Sequence, residues 1–231
     1  MYKRILLKIS GEALAGANGT GINADMVEHV VSQIVELHNR GVEVAVVMGG
    51  GNFWRGRQGT NMDRVTADHM GMIATIMNGL ALQDAIEKKG VQTRLQTALS
   101  IPSVAEPFLL RKALRHFEMG RVVLFACGTG NPYFSTDTGA ALRAAEIGAD
   151  ALLMAKNIDG VYDSDPRKNP EAKRFDTLTY MDIINKRLAH MDTTAITTCM
   201  ENNIPIVTFA LDEPGSIVKA AMGEKIGTYI G

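Results

Sequence analysis

The chain has 231 residues, of which 46% are hydrophobic and 21% are charged, and its formal net charge at pH 7 is −1. This composition is ordinary for a folded globular protein, and the length is sufficient for a substantial core in one large domain or two small ones. Because lysine and arginine are spread along the chain and balanced by acids, an electrostatic surface for nucleic acid or an anionic membrane is not expected.

The two cysteines and the N-terminal segment give no sign of a secreted or membrane protein. Cys127 and Cys199 match no metal-binding or redox spacing, and we expect both to be reduced thiols in the core. The N-terminal segment MYKRILLKIS lacks the apolar stretch and cleavage site of a signal peptide. No apolar run approaches the ~20 residues of a membrane span, so a cytoplasmic location is expected.

Short apolar runs alternate with amphipathic segments from one end of the chain to the other. The predicted strands are RILLKI, VEVAVVM, VQTRLQTA, RVVLFAC, DALLMAK, IPIVTFA and GTYI. The predicted helices are ADMVEHVVSQIVELHNR (capped by Asn23 and ended by Gly41), Val65 to Lys89, PFLLRKALRHFEM, TGAALRAAEIGA, residues 180–187 and 191–202, and PGSIVKAAM. This alternation favours an α/β fold with a mostly parallel sheet, in which ligands bind at the carboxyl ends of the strands.

The first predicted strand contains Lys8 among apolar residues and ends at the turn Ser10-Gly11. Lys8 could face a ligand at the end of the strand. It could equally belong to an edge strand and extend its ammonium group to solvent.

The second strand runs into GGGNFWRG, where three glycines leave backbone N–H groups unobstructed and Arg55 adds a permanent charge. Such a loop suits a phosphate group, although a flexible turn would also contain glycines. The sequence has no GxxxxGK[ST] motif. It also has no GxGxxG after a strand with an acidic residue twenty positions on, so a dinucleotide-binding Rossmann domain is not predicted.

Two longer polar segments follow later strands. GTGNPYFSTD, from Gly128 to Asp137, offers neutral donors and acceptors suited to a base or a sugar. Its last residue, Asp137, opens the next helix, where a carboxylate is stabilised by the helix dipole and could also act as a cap. The second segment, AKNIDGVYDSDPRKNP, offers Tyr162 for stacking and the carboxylates of Asp159 and Asp165, unless it is only a surface loop.

These loops together suit phosphoryl transfer, in which positioning and charge neutralisation matter more than covalent chemistry. Three hypotheses for the activity are considered. The chain could phosphorylate a nucleotide, or it could phosphorylate a small carboxylate or carbamate, for which the ten-residue polar loop is oversized. It could also be a non-catalytic nucleotide-binding storage or sensor protein on the same fold.

Six segments in order along the chain resemble those of the bacterial UMP kinases of the amino-acid-kinase superfamily. They are KISGEAL, GGGNFWRG, DHMGMIATIMNGLAL, GTGNPYFSTD, DGVYDSDP and MGEKIGTYI. The resemblance implies a three-layer αβα sandwich with a mostly parallel central sheet. It implies one domain over residues 1–231 that binds UMP through its N-terminal part and ATP through its C-terminal part. The implied reaction transfers the γ-phosphoryl group of ATP, with Mg²⁺, to UMP.

The resemblance also assigns roles to individual residues. Lys8, Arg55 and Asp137 are the implied catalytic residues. The implied ATP-binding residues are Lys8, Ile9, Ser10, Gly11, Gly51, Arg55, Asn157, Tyr162 and Asp165. The implied UMP-binding residues are Gly50, Asp68, Thr129, Gly130, Asn131, Pro132, Tyr133, Phe134, Ser135 and Thr136, with Asp68 reaching the ribose hydroxyls. No metal-ligating residue of the protein is implied.

Assembly and regulation are further implications of the resemblance. It implies a homohexamer that GTP activates and UTP inhibits. GTP would act at Gly16, Ala17, Asn18, Gly19, Thr20 and Gly21, although a surface turn explains these residues equally well. The role of Lys156 is left open, and Asp192 is interpreted as a helix cap rather than a site residue.

Overall fold

The computed structural model describes residues 1–54, 61–188 and 191–231. Its strands are β1 (Arg4–Ile9), β2 (Glu43–Met48), β3 (Thr93–Thr97), β4 (Glu106–Pro107), β5 (Val122–Ala126), β6 (Ala151–Lys156), β7 (Val161–Tyr162), β8 (Arg174–Phe175), β9 (Thr177–Leu178), β10 (Ile206–Ala210) and β11 (Thr228–Ile230). Its α-helices are α1 (Gly11–Ala15), α2 (Ala24–Asn39), α3 (Arg64–Lys88), α4 (Leu110–Glu118), α5 (Thr136–Ile147), α6 (Tyr180–Asn185), α7 (Thr193–Glu201) and α8 (Ser216–Met222).

Nine of the strands form one sheet in the order β4-β3-β5-β2-β1-β6-β10-β11-β9. Every neighbouring pair is parallel except β10 and β11, which are antiparallel. The strands β7 and β8 form a separate antiparallel pair. The predicted α/β fold with a mostly parallel sheet is therefore confirmed.

The core lies in two layers, one on each face of the sheet. Along β1, Ile5, Leu7 and Ile9 belong to the layer that contains residues of α2, α3 and α8. Leu6 belongs to the other layer, which contains residues of α4, α5, α6 and α7. Because consecutive side chains of a strand point to opposite faces, a run of apolar residues such as RILLKI supplies both layers.

Local signals predicted both ends of α2 correctly, whereas the start of α4 was predicted wrongly and the short helix α1 was not predicted. The Asn23 side chain accepts a hydrogen bond from Met26 N, and Gly41 adopts a positive φ of 82° after α2, as predicted. The helix predicted to begin at Pro107 begins instead at Leu110. Pro107 lies in β4 at the end of the sheet, where a residue without an N–H group is tolerated.

No helix within the described residues is long and apolar enough to cross a membrane. Cys127 and Cys199 are both buried free thiols, as predicted.

Candidate active site

Lys8 and Asp137 form an ion pair at the carboxyl end of the sheet. Lys8 lies on β1, in the interior of the sheet, and is 7% exposed. Its Nζ lies 2.9 Å from Oδ1 of Asp137, on the first turn of α5. The alternative of an edge lysine that reaches solvent is therefore excluded.

The carboxylate of Asp137 can face Lys8 because another side chain caps α5. Ser135 Oγ accepts a hydrogen bond from Thr138 N and satisfies the helix N-terminus. The interpretation of Asp137 as the cap is wrong. The helix dipole still favours its negative charge at this position.

The glycine-rich loop after β2 packs closely against its neighbours. A Cβ atom on Gly11 would lie 2.5 Å from Oδ1 of Asn52 and 2.6 Å from the backbone N of Gly51. A Cβ atom on Gly50 would lie 2.7 Å from the carbonyl oxygen of Gly71 on α3. Glycine is required at these two positions by packing, in addition to any contact with a phosphate group.

A buried pair of asparagines holds this loop, and sequence reasoning missed it. Asn52 Nδ2 donates to Asn78 Oδ1, and Asn78 Nδ2 donates to Asn52 Oδ1, each at 2.8 Å. Asn78 Nδ2 also donates to the carbonyl oxygen of Gly49, and Asn52 Nδ2 donates to that of Gly21. The loop is thus fastened to α3 and to the segment before α2.

A cavity of about 240 Å³ opens between α3 and the segment from Gly128 to Thr136, and we call it the α3 cavity. The predicted residues that line it are Gly50, Gly51, Asp68, Thr129, Asn131, Phe134, Ser135 and Thr136. Its lining also includes Trp54, Arg64, Ala67, Gly71, Met72, Thr75, Cys127 and Gly128, which were not predicted. The predicted residues Gly130, Pro132 and Tyr133 do not line this cavity, although they belong to the same loop.

Asp68, which lines the α3 cavity, links α3 to the loop after β5. Its Oδ2 accepts a hydrogen bond of 2.8 Å from Tyr133 N, in the loop after β5, and one of 2.8 Å from Arg64 Nε. The Arg64 guanidinium also lies 5.4 Å from the centre of the Tyr133 ring. Arg64 stands four residues before Asp68 on α3, a spacing that predicts an ion pair on a helix face.

The polar loop after β5 begins with a residue in a strained conformation. Cys127 is fully buried and has a φ of 67°, which residues other than glycine seldom adopt. Its N–H group donates to Thr75 Oγ1 at 2.7 Å, and that hydroxyl donates in turn to the carbonyl oxygen of Met72. Thr75 on α3 therefore fixes the direction in which this loop leaves β5.

A second cavity, of about 490 Å³, lies beside β7, and we call it the β7 cavity. The predicted residues Tyr162 and Asp165 line it. The Tyr162 hydroxyl donates to Asp159 Oδ1 at 2.8 Å, and Arg174 Nη1 donates to the other oxygen of Asp159 at 2.7 Å. The tyrosine ring is thereby held in one orientation at the cavity wall.

A third cavity, of about 320 Å³, lies beside α1 and is called the α1 cavity. It is lined by Glu12, Ala13, Gly16, Ala17, Met26, Lys156, Asn157, Leu211 and Asp212. The predicted residue Asn157 lies here rather than in the β7 cavity. Lys156, the last residue of β6, lines both of them.

Lys156 also lies near the Lys8–Asp137 pair. Burial lowers the pKa of Lys156 to about 8; Asp137 opposes this shift, Lys8 adds to it, and Asp192 opposes it. Asp192 is the residue before α7, and within the described residues its side chain makes no capping hydrogen bond to that helix. Asp192 therefore occupies the N-cap position of α7, as predicted, but its side chain does not cap the helix, and its negative charge favours the protonated form of Lys156.

The other predicted site residues are placed as follows. Ile9 is fully buried in the core, so only its backbone can face a ligand, and Ser10 Oγ caps α1 by accepting from Ala13 N at 3.2 Å. Arg55 lies outside the described residues. The predicted GTP segment forms a short 3₁₀ turn at Gly16–Asn18, and its Gly21 N donates to the carbonyl oxygen of Asn52. Within the described residues, no group of three or more His, Cys, Asp or Glu is arranged to hold a metal ion.

Comparison with known proteins identifies relatives over the whole chain. The model of the amino acid kinase family matches residues 3–210. A UMP kinase from Bacillus anthracis has a TM-score of 0.96 and 38% identity, with 100% of this chain and 96% of that chain covered. A UMP kinase from Ureaplasma parvum has a TM-score of 0.94 and 38% identity, with coverage of 100% and 99%. A uridylate kinase from Archaeoglobus fulgidus has a TM-score of 0.76 and 25% identity, with coverage of 98% and 99%.

Proposed function

Because the chain belongs to the amino acid kinase family, we propose that it is a UMP kinase, which transfers the γ-phosphoryl group of ATP to UMP. One observation carries the proposal beyond the family. Residues next to the Lys8–Asp137 pair line two separate cavities. Thr136, the sequence neighbour of Asp137, lines the α3 cavity, and Lys156, whose pKa is influenced by both residues, lines the β7 cavity. Phosphoryl transfer between two nucleotides requires one binding site for the donor and one for the acceptor, with a cation between them near the transferred group.

UMP is proposed to bind in the α3 cavity. Asp68, at one wall, can accept hydrogen bonds from the ribose hydroxyls, and Thr129, Asn131 and Ser135 offer neutral groups to the uracil ring. The remaining predicted residues of the loop, Gly130, Pro132 and Tyr133, would then shape its backbone rather than contact the base. Gly50 and Gly51 would present backbone N–H groups to the UMP phosphate.

ATP is proposed to bind on the β6 side of the sheet. Tyr162 can stack on the adenine ring in the β7 cavity, where Asp165 also lies. Lys8, the backbone of Ile9 to Gly11 and Asn157 would surround the triphosphate. In this proposal the UMP contacts come mainly from the N-terminal part of a single domain and the adenine contacts from the C-terminal part, as the family resemblance implies, while Lys8 to Gly11 contribute to the ATP side.

The chemistry requires charge neutralisation rather than a general base. The phosphate of UMP is largely a dianion at pH 7 because its second pKa is ~6, so its attacking oxygen has no proton to lose. Lys8 and, by proposal, Arg55 lower the repulsion between two polyanions and stabilise the charge that develops on the transferring group. Magnesium is proposed to enter with ATP, since it is held mainly by phosphate oxygens and one or two carboxylates.

The test is an assay of ADP release from MgATP with UMP, CMP, dUMP, aspartate, N-acetylglutamate and carbamate offered in parallel. We expect turnover with UMP, and loss of that turnover in Lys8→Met. Turnover with one of the small acids instead would assign the chain to another activity of the family. Nucleotide binding without turnover on any acceptor would favour the storage or sensor hypothesis.

Regulation and assembly remain proposals of the same kind. We propose a homohexamer that GTP activates through the segment from Gly16 to Gly21 and that UTP inhibits. The hydrogen bonds between Gly21 and Asn52 support a path from that segment to the glycine-rich loop. Light scattering gives the oligomeric state, and the same assay with added GTP or UTP gives the regulation. A role in pyrimidine nucleotide synthesis and a cytoplasmic location stay predictions.

A further inference from the structure

Lys156 is a lysine that the family resemblance leaves without a role, and its position calls for one. It is the last residue of β6 and lines both the β7 cavity and the α1 cavity. It therefore stands between those two cavities, at the carboxyl end of the central strands, where Lys8 also lies.

The register of the sheet directs Lys8 and Lys156 to the same face. In the parallel pair β1 and β6, Lys8 is opposite Met154, so Lys156 stands two residues further along the neighbouring strand. Residues two apart on a strand share a face. With ~4.8 Å between strands and ~3.3 Å per residue, the two Cα atoms are roughly 8 Å apart.

That face of the sheet is the one covered by α5. Met154 and Leu6 pack in the same core layer as Ala140 and Ala141 of α5. The first turn of α5 carries Asp137, which pairs with Lys8 at 2.9 Å. Asp137 therefore stands beside two lysines that come from adjacent strands.

We propose that Lys156 is a second catalytic cation, whose ammonium group contacts the phosphate groups of ATP from the β6 side while Lys8 contacts them from the β1 side. The proposal rests on the proposed kinase function and deepens it. The Cα atoms of the two lysines are roughly 8 Å apart, and each lysine side chain extends ~6 Å from its Cα. Both ammonium groups can therefore reach a triphosphate bound between them. Asp137 and Asp192 keep the cluster close to neutral until the nucleotide arrives.

The charge of Lys156 should change between pH 7 and pH 9. Its pKa is lowered by burial to about 8, so it is mainly protonated at pH 7 and mainly neutral at pH 9. Among the described residues, the charged and titratable groups around it are Lys8 on β1, Glu12 on α1, Asp137 on α5, Asp192 before α7 and Asp212 after β10. Around the β7 cavity they are Tyr162, Asp163, Asp165, Arg167, Lys186 and Arg187.

A bound polyanion stabilises the protonated form of a nearby lysine and raises its pKa. The pH profile of kcat/KM for ATP reports groups of the free enzyme, and that of kcat reports groups of the complex. We therefore expect kcat/KM for ATP to fall above pH 8, whereas kcat falls only at higher pH.

The experiment compares wild type with Lys156→Met, Lys156→Arg and the control Lys219→Met, which removes a half-buried lysine of α8 outside these cavities. Kinetics between pH 7 and 9 are combined with calorimetric binding of the magnesium complex of adenylyl imidodiphosphate in the absence of UMP. For wild type we expect binding to weaken up to ~10-fold from pH 7 to pH 9, as a lysine with this pKa loses its proton. Lys156→Met should bind weakly at both pH values, and its kcat/KM for ATP should be about 10²-fold lower at pH 7.

Lys156→Arg keeps its charge at pH 9 and should abolish the alkaline loss of binding. If Lys156 only stabilised the fold, its replacement would lower the melting temperature without changing the pH dependence of nucleotide binding. Binding by Lys156→Met that equals wild type at both pH values overturns the proposal, as does the same alkaline loss in Lys156→Arg. If wild type forms no UDP at all, the kinase proposal fails, but the binding data still decide whether Lys156 contacts a triphosphate.

Discussion

The ammonium group of Lys8 lies 2.9 Å from Oδ1 of Asp137, and the exposed fractions of the two side chains are 9% and 17%. The pair joins the middle of the sheet to the N-terminus of α5. It is poorly hydrated, so the removal of either partner leaves an uncompensated charge.

Replacement of Lys8 should mainly lower the catalytic rate, whereas replacement of Asp137 should mainly lower stability. We expect Lys8→Met to lower kcat by about 10²–10³-fold, because it removes a cation from the transferring phosphoryl group. Asp137→Asn should lower the free energy of unfolding by about 3 kcal/mol, since it leaves Lys8 near Lys156 without the carboxylate. Urea denaturation and steady-state kinetics measure the two effects.

The double variant Lys8→Met/Asp137→Asn separates stability from catalysis. It removes both charges of the pair, so part of the lost stability should return while activity stays low. Recovery of activity in the double variant would contradict a catalytic role for Lys8.

The buried pair Asn52 and Asn78 predicts a coupled effect on the glycine-rich loop. Asn78→Leu removes the donor to Asn52 Oδ1 and to the carbonyl oxygen of Gly49, and each buried unsatisfied group costs about 1–3 kcal/mol. We expect lower stability, together with a decrease in kcat/KM, because the loop that faces the phosphates loses its anchor.

The double variant Asn52→Leu/Asn78→Leu checks the pairing in urea denaturation. Its loss of unfolding free energy should be smaller than the sum of the two single losses, since each single variant already breaks the same two hydrogen bonds. Additive losses would show that the two side chains stabilise the fold independently.

The sequence predicted the sheet and its helices because the signals are local. Runs such as RVVLFAC are buried on both faces, and caps such as Asn23 and Gly41 act on their own helix ends. The helix start at Pro107 was mispredicted because β4 exists only through its pairing with β3, which the local pattern does not contain.

The candidate site was predicted where a motif lies in one loop and missed where it is assembled from distant segments. The segment from Thr129 to Thr136 could be recognised as a unit. The role of Asn78 could not be recognised in the sequence, because its partner Asn52 is 26 residues away and the two amides are identified only when the fold buries them together. Thr75 was missed for the same reason, since its hydroxyl is needed only because Cys127 has a positive φ.

Asp68 is predicted to distinguish ribose from deoxyribose. Asp68→Asn keeps an oxygen that can accept from Tyr133 N but removes the charge that strengthens hydrogen bonds from ribose hydroxyls. We expect the KM for UMP to rise about 10-fold, in line with the 1.5 kcal/mol or more of a hydrogen bond to a charged group, and the KM for dUMP to change less.

The control for this prediction is Arg64→Met, which removes the other partner of Asp68 and leaves its carboxylate in place. It should retain the preference for UMP over dUMP. An equal rise in KM for both substrates in Asp68→Asn would show that Asp68 does not bind the 2′-hydroxyl group.

Glu106 on β4 should make the fold sensitive to acid. Although burial opposes the shift, hydrogen bonds from Gln96, His116 and Lys112 lower the pKa of Glu106 from 4.5 to about 2. A carboxylate with a lowered pKa stabilises the fold above its unfolded-state pKa, and this contribution is lost as the pH falls through the folded-state value. We therefore expect about 2–3 kcal/mol of unfolding free energy to disappear between pH 5 and pH 2.

Urea denaturation at a series of pH values measures this loss, with Glu106→Gln as the test variant. Glu106→Gln should be less stable than wild type at pH 6 and should approach it at pH 2, where Glu106 itself is largely protonated. Glu118→Gln is the control, because it removes an exposed carboxylate that pairs with Arg115 on the surface of α4 and changes the net charge equally. If wild type and Glu106→Gln lose stability in parallel as the pH falls, the acid sensitivity belongs to other carboxylates and the hydrogen bonds at Glu106 contribute no pH dependence.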